Sequence, residues 1–139
     1  MTDIVQRRDN DSSTLTTPRT LIRVFVEPGG IETAAAFYED LSGVERDMWF
    51  TYEEVGLVLA AVGSFLLIEG DEDALRPFRA TTGTLLVAEV APYLDRLTAA
   101  GAEIVGPLRR VPTGAGFTAR HPDGSVIEYV EHRPTSDGR

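Results

Sequence analysis

The sequence predicts an α+β fold in which two tandem β-α-β-β-β modules form a half-open mixed-sheet barrel around a cavity. Three observations predict it. One order of elements occurs twice along the chain, each copy opening on a strand and closing on a strand that carries an Ile-Glu pair, at Ile68-Glu69 and Ile127-Glu128. Such an internal repeat sets architecture before any single residue does. Gly and Pro clusters punctuate both copies at corresponding places. Finally, one helix per module covers only one face of its strands, so the other face must curl around a cavity or meet the second module.

Each element has its own signal. Over 21–27, Ile22, Val24 and Val26 alternate with Arg23, Phe25 and Glu27, the period of a strand. Pro28-Gly29-Gly30 ends it, and Ile31, Ala34, Ala35, Tyr38 and Leu41 then form one helical stripe that stops at Ser42-Gly43. Residues 48–52, 55–62 and 64–69 read as three consecutive strands, the last two joined by a tight turn near Gly63. An acidic connector over 70–78 leads to a strand at 84–87 and a helix over 90–100 that ends at Gly101. Pro107, Pro112-Thr113-Gly114 and Pro122-Asp123-Gly124 punctuate the strands that follow. Residues 1–19 and 134–139 carry no periodic apolar pattern and are expected to be tails flanking a domain over 20–133, with module 1 at about 20–70 and module 2 at about 80–132.

Composition excludes several functions. The net charge of −9 and pI near 4.6 oppose binding to nucleic acid and mildly favour neutral or cationic ligands. Without cysteine there is no disulfide or thiolate chemistry. No apolar run approaches the roughly 20 residues that span a bilayer, and the N-terminus lacks the apolar core of a secretory signal. A cytoplasmic protein with no membrane partner is expected.

Three segments carry a resemblance to a known family. They are Phe37-Tyr38-Glu39-Asp40-Leu41-Ser42-Gly43, Leu97-Thr98-Ala99-Ala100-Gly101-Ala102 and Pro122-Asp123-Gly124-Ser125-Val126-Ile127-Glu128. In this order the chain resembles the vicinal oxygen chelate superfamily, which includes glyoxalase I, extradiol dioxygenases and the fosfomycin- and bleomycin-resistance proteins. The resemblance implies the barrel fold, and it implies a metal site built from the first and last strands of the two modules. Carried over at the spacing of the repeat, those positions are Arg23, Glu69, Thr82 and Glu128. The closing-strand carboxylates are present, whereas the opening-strand ligands are not.

Arg23 has no lone pair for a cation, and Thr82 offers only a neutral hydroxyl. The two histidines, His121 and His132, both lie near the C-terminal end, so no tightly bound transition metal and no cofactor are expected. Two carboxylates in one cavity without a cation would be costly. Arg23 either supplies that charge or lies near a strand end with solvent as its partner. Glu69 and Glu128 are also candidate catalytic bases, able to take a proton beside a carbonyl.

Alternation predicts a ligand cavity bounded by Arg23, Phe25, Glu69, Thr82 and Glu128. Trp49 either lines it or packs in the core or a dimer interface. Tyr129 is assigned to the helix-covered core and His121 to a turn. Arg109-Arg110, read as a loop, is either a solvated pair or a receiver for an anionic group. These features lead to a homodimeric, metal-independent protein that binds a small organic molecule, as a bleomycin-resistance-like protein sequesters a drug or natural product. The alternative is an isomerase, lyase or dioxygenase-like enzyme that uses Glu69 and Glu128 as bases or metal ligands. A protein with a vestigial cavity is the third possibility.

Overall fold

The computed structural model describes residues 11–111 and 114–133. Eight strands form one sheet. They are β1 (Arg19–Val26), β2 (Met48–Tyr52), β3 (Leu57–Val62), β4 (Phe65–Glu69), β5 (Gly83–Leu86), β6 (Glu103–Val111), β7 (Gly114–Arg120) and β8 (Val126–His132). Among the described residues three α-helices accompany them, α1 (Ile31–Ser42), the one-turn α2 (Glu72–Leu75) and α3 (Val90–Ala99). The strand order is β2-β3-β4-β1-β5-β8-β7-β6, which sets two four-stranded modules side by side. Within each module the opening and closing strands run parallel, β1 with β4 and β5 with β8, and the modules meet through the antiparallel pair β1–β5. The modules therefore pair within one chain.

Strand alternation sorts the apolar residues into three clusters. Val26, Ala60, Val62 and Leu67 pack under α1 with Ile31 and Ala35. Val87, Phe117, Ala119 and Tyr129 pack under α3 with Val90. The third cluster fills the concave side and includes Leu21, Met48, Phe50, Leu66, Ile68 and Leu86. Helices α1 and α3 thus cover the convex faces of the two modules, and the concave faces curl toward each other. Leu59 of β3 and Arg109 of β6, from the two flanks of the sheet, line the same pocket.

Two carboxylates secure the helix starts. Glu69 Oε2 accepts from the backbone N–H of Gly29 at 2.9 Å and of Ile31 at 3.1 Å. Glu131 Oε2 accepts from Val90 N–H at 2.9 Å. Neither helix has an N-cap side-chain bond, so these acids from the closing strands satisfy N–H groups that the helix leaves unpaired and complement its dipole. At its other end α1 stops on Gly43 with φ 72°, a left-handed value that favours glycine.

The connector contains α2, capped by Asp71 through Ala74 N–H at 2.8 Å. The described part of the N-terminal stretch is not a free tail. Ser12 is buried, donates to Val87 O at 2.6 Å and accepts from His132 N–H at 2.9 Å. Leu15 packs against the concave cluster. The remainder of both expected tails, residues 1–10 and 134–139, lies outside the described residues. Arg109 and Arg110 belong to β6 rather than to a loop. No helix among the described residues is long and apolar enough to cross a membrane.

Candidate functional site

The concave face is built from odd positions of β1 and even positions of β4, β5 and β8. Arg23 projects from β1 into this face, and its side chain is only 5% exposed. Its Nη2 donates to Glu128 Oε1 at 2.7 Å, its Nε to Thr84 Oγ1 at 3.1 Å and its Nη1 to the Phe78 carbonyl at 3.4 Å. Thr84 Oγ1 in turn donates to Glu128 Oε1 at 3.2 Å. Thr84 and Glu128 are ladder partners across β5 and β8, so the sheet itself sets the geometry. The three side chains bind the two modules together at the centre of the molecule.

Two expected site residues lie elsewhere. Glu69 is in register with Val26, on the face covered by α1, and there it caps that helix. The concave residue of β4 beside Arg23 is Leu66. Thr82 is exposed and precedes β5, and only its carbonyl contacts Arg23, accepting from Arg23 N–H at 3.3 Å. Thr84 takes the inward place. The physical reason is parity. Aligning the copies on their Ile-Glu pairs equates Glu69 with Glu128, but the helix-capping counterpart of Glu69 is Glu131, three residues on. An odd shift in a strand moves a side chain to the opposite face.

The aromatic candidates also separate. Trp49 packs against the α1 cluster, with the Arg46 guanidinium 4.9 Å from its ring centroid, and so lies on the convex side. Its strand neighbours Met48, Phe50 and Tyr52 face the pocket instead. Phe25 packs against the concave cluster with Arg79 5.2 Å above its ring, yet it does not line the pocket. Tyr129 is buried under α3, stacked on Phe117, and its hydroxyl lies 2.6 Å from His121 Nε2. Desolvation holds the Tyr129 phenol above its ordinary pKa.

The pocket has a volume of about 70 Å³. Its apolar wall includes Leu21, Phe50, Leu59, Leu66 and Leu86, and the polar side chains among its lining residues are Tyr52, Thr84, Arg109, Glu128 and His132. Alternation along β8 places Glu128, Val130 and His132 on one face, which is the sequence signal that identifies His132 as a pocket residue. His132 is 1% exposed, and its Nε2 has no hydrogen-bond partner among the described residues. Burial pushes its pKa down to about 4, so the ring is neutral at pH 7.

The donor set does not fit the metal that the fold family implies. The inward positions are Arg23, Leu66, Thr84 and Glu128, comprising a permanent cation, a hydrocarbon, a hydroxyl and one carboxylate already bound to the cation. No group of three His, Cys, Asp or Glu side chains among the described residues could hold an ion.

The fold and this concave centre define a protein of the paired-module half-barrel class. The model of the glyoxalase/bleomycin resistance protein/dioxygenase superfamily matches residues 21–129, and the chain belongs to that superfamily. A solved structure of an uncharacterized protein from Methanosarcina mazei is 38% identical, with a TM-score of 0.73 over 88% of this chain and 98% of the other. Methylmalonyl-CoA epimerase from Mycobacterium tuberculosis shares the fold at 20% identity and a TM-score of 0.57, over 88% of this chain and 92% of its own. A variant of 4-hydroxymandelate synthase from Streptomyces coelicolor aligns at 17% identity and a TM-score of 0.53, over 84% of this chain but 49% of that enzyme. No curated protein sequence matches the chain.

Proposed function

We propose that this protein is a metal-independent small-molecule-binding member of the superfamily, with an ion pair standing where other members place a metal. The observation that carries the reading is the 2.7 Å contact between Arg23 and Glu128 at the meeting point of the two modules. It neutralises the cavity carboxylate without a metal and leaves an apolar pocket with few polar groups beside it, the usual character of a ligand site. Sequestering of a drug or natural product suits such a site. At about 70 Å³ the pocket itself takes only a small molecule or one small moiety of a larger one. By comparison, an engineered apolar cavity of about 150 Å³ takes benzene.

A second reading, a proton-abstracting enzyme, draws support from Glu128. Only its Oε1 is engaged by Arg23 and Thr84, and Oε2 has no hydrogen bond among the described residues. With Glu69 held at α1, the base role in this reading falls to Glu128. The expected homodimer draws support from the exposed apolar residues Phe37, Leu41 and Val44 along and beyond the outer side of α1.

Native mass spectrometry of the gently purified protein, followed by turnover assays on any co-purified compound, tests these readings. A saturable ligand that is returned unchanged supports binding. Conversion of that ligand, abolished by Glu128→Gln, supports the enzyme instead.

A further inference from the structure

The whole chain is acidic, but the charges at the pocket have the opposite balance. Arg23 and Glu128 cancel each other. Arg109 lines the same pocket and has no hydrogen bond or ion pair among the described residues. Among the residues that line the pocket, one positive charge is therefore left without a counter-charge, while the more distant Arg19 and Arg133 are paired with Asp47 and Asp11, and the sign of a local field is set by the nearest charges rather than by the total.

The backbone places Arg109 there. Strand β6 carries two irregularities against β7, between Ile104 and Gly106 and between Gly106 and Arg109. Such bulges bend an edge strand and re-aim a side chain. Past them Arg109 is in register with Gly116, which is itself in register with Val130 on the concave face. Gly116 has no side chain to interpose between Arg109 and the pocket.

His132 gives the second observation. A buried ring nitrogen without a partner forfeits a hydrogen bond and remains costly to desolvate. Here it belongs to a fully buried histidine in the pocket wall. The neutral imidazole can either donate or accept.

We propose that the pocket takes a small organic carboxylate, its apolar body among Met48, Phe50, Leu66 and Leu86, its carboxylate at Arg109, and a hydroxyl or carbonyl oxygen at His132. This inference rests on the small-molecule reading above and names the ligand class. An Arg fork matches a carboxylate in shape and charge. The limited volume favours acids of a few carbon atoms, and the apolar wall favours one charge rather than two.

The test uses the full chain labelled with ¹³C-methyl methionine. Met48 lines the pocket, and the only other methionine is Met1. Butyrate and 2-hydroxybutyrate are titrated beside their neutral amides, and the Met48 methyl signal is followed. The acids are expected to shift it saturably and the amides to bind at least about tenfold more weakly, the scale of a charged hydrogen bond. Arg109→Gln should weaken the acids by a similar factor, and because Arg109 is exposed the core stays intact. The hydroxy acid should bind about threefold to tenfold tighter than butyrate, an advantage lost in His132→Phe. Amides that bind as well as acids, or an R109Q protein that binds the acids unchanged, would overturn the proposal while leaving a small-molecule pocket standing. A Met48 signal unmoved by every probe would overturn the proposal and count against the binding reading as well.

Discussion

Arg23 on β1 and Glu128 on β8 meet at 2.7 Å across the intervening strand β5, and Thr84 of that strand bonds to both. One ion pair thus ties the first strand of one module to the last strand of the other. Superfamily membership makes this a place where metal ligands are expected to converge, and the residues present neutralise one another instead.

The stability of that pair is measurable. Arg23 is almost fully buried and Glu128 is 21% exposed, so removing the cation strands a largely desolvated carboxylate. Arg23→Ala is expected to lower unfolding free energy by about 3 kcal/mol in denaturant titrations. Replacing both residues with apolar side chains of similar volume should cost much less, because no charge is left without a partner.

Glu69 makes a separate prediction. It caps α1 and lies on the convex side, so Glu69→Gln should cost about 1 kcal/mol of stability and leave ligand binding unchanged. Loss of binding or turnover with unchanged stability would return Glu69 to the cavity.

His132 gives a pH dependence. Burial lowers its folded pKa to about 4, from about 6.5 in the unfolded chain, against smaller effects from Asp11, Arg19 and Arg133. The unfolded state therefore takes up the proton first as pH falls. The associated stability is complete above pH 6.5 and is lost between about 6.5 and 4, amounting to about 2 kcal/mol at pH 5. Chemical denaturation across this range should show the slope in the natural protein and a flatter one in His132→Gln. Equal slopes would contradict the assignment.

Much of this molecule is legible in its sequence, and the unread part has a definite cause. Period-two alternation locates β1, and the stripe from Ile31 to Leu41 locates α1, because each pattern reports a face buried locally. Charge balance in a cavity makes Arg23 a candidate partner for Glu69 or Glu128 and leaves solvent as the alternative, and only the fold selects Glu128. The inward positions at Leu66 and Thr84, one in each module, do not follow. The modules differ in the lengths between elements, and two irregularities in β6 lengthen one copy, so a single offset cannot align the repeat throughout. That slip exchanges Thr84 for Thr82 and gives Glu69 the place of Leu66. Trp49 and Met48 illustrate the same limit, since adjacent strand residues face opposite sides and only the fold decides which side is the pocket.

The exposed residues Phe37 and Leu41 stand one helical turn apart on α1. If they form the proposed dimer contact, sedimentation at micromolar concentration should report a dimer, and Leu41→Glu should shift it to monomer without loss of helix content. A natural chain that sediments as a monomer would rule out the α1 dimer contact.

In the proposed function, Arg23 does electrostatically what a metal does elsewhere in the superfamily. Elemental analysis of protein purified without chelator, after growth in medium supplemented with Zn²⁺, Fe²⁺, Ni²⁺ and Mn²⁺, tests it most directly. The natural protein is expected to carry no stoichiometric metal. One metal ion per chain that disappears in Glu128→Gln would contradict it.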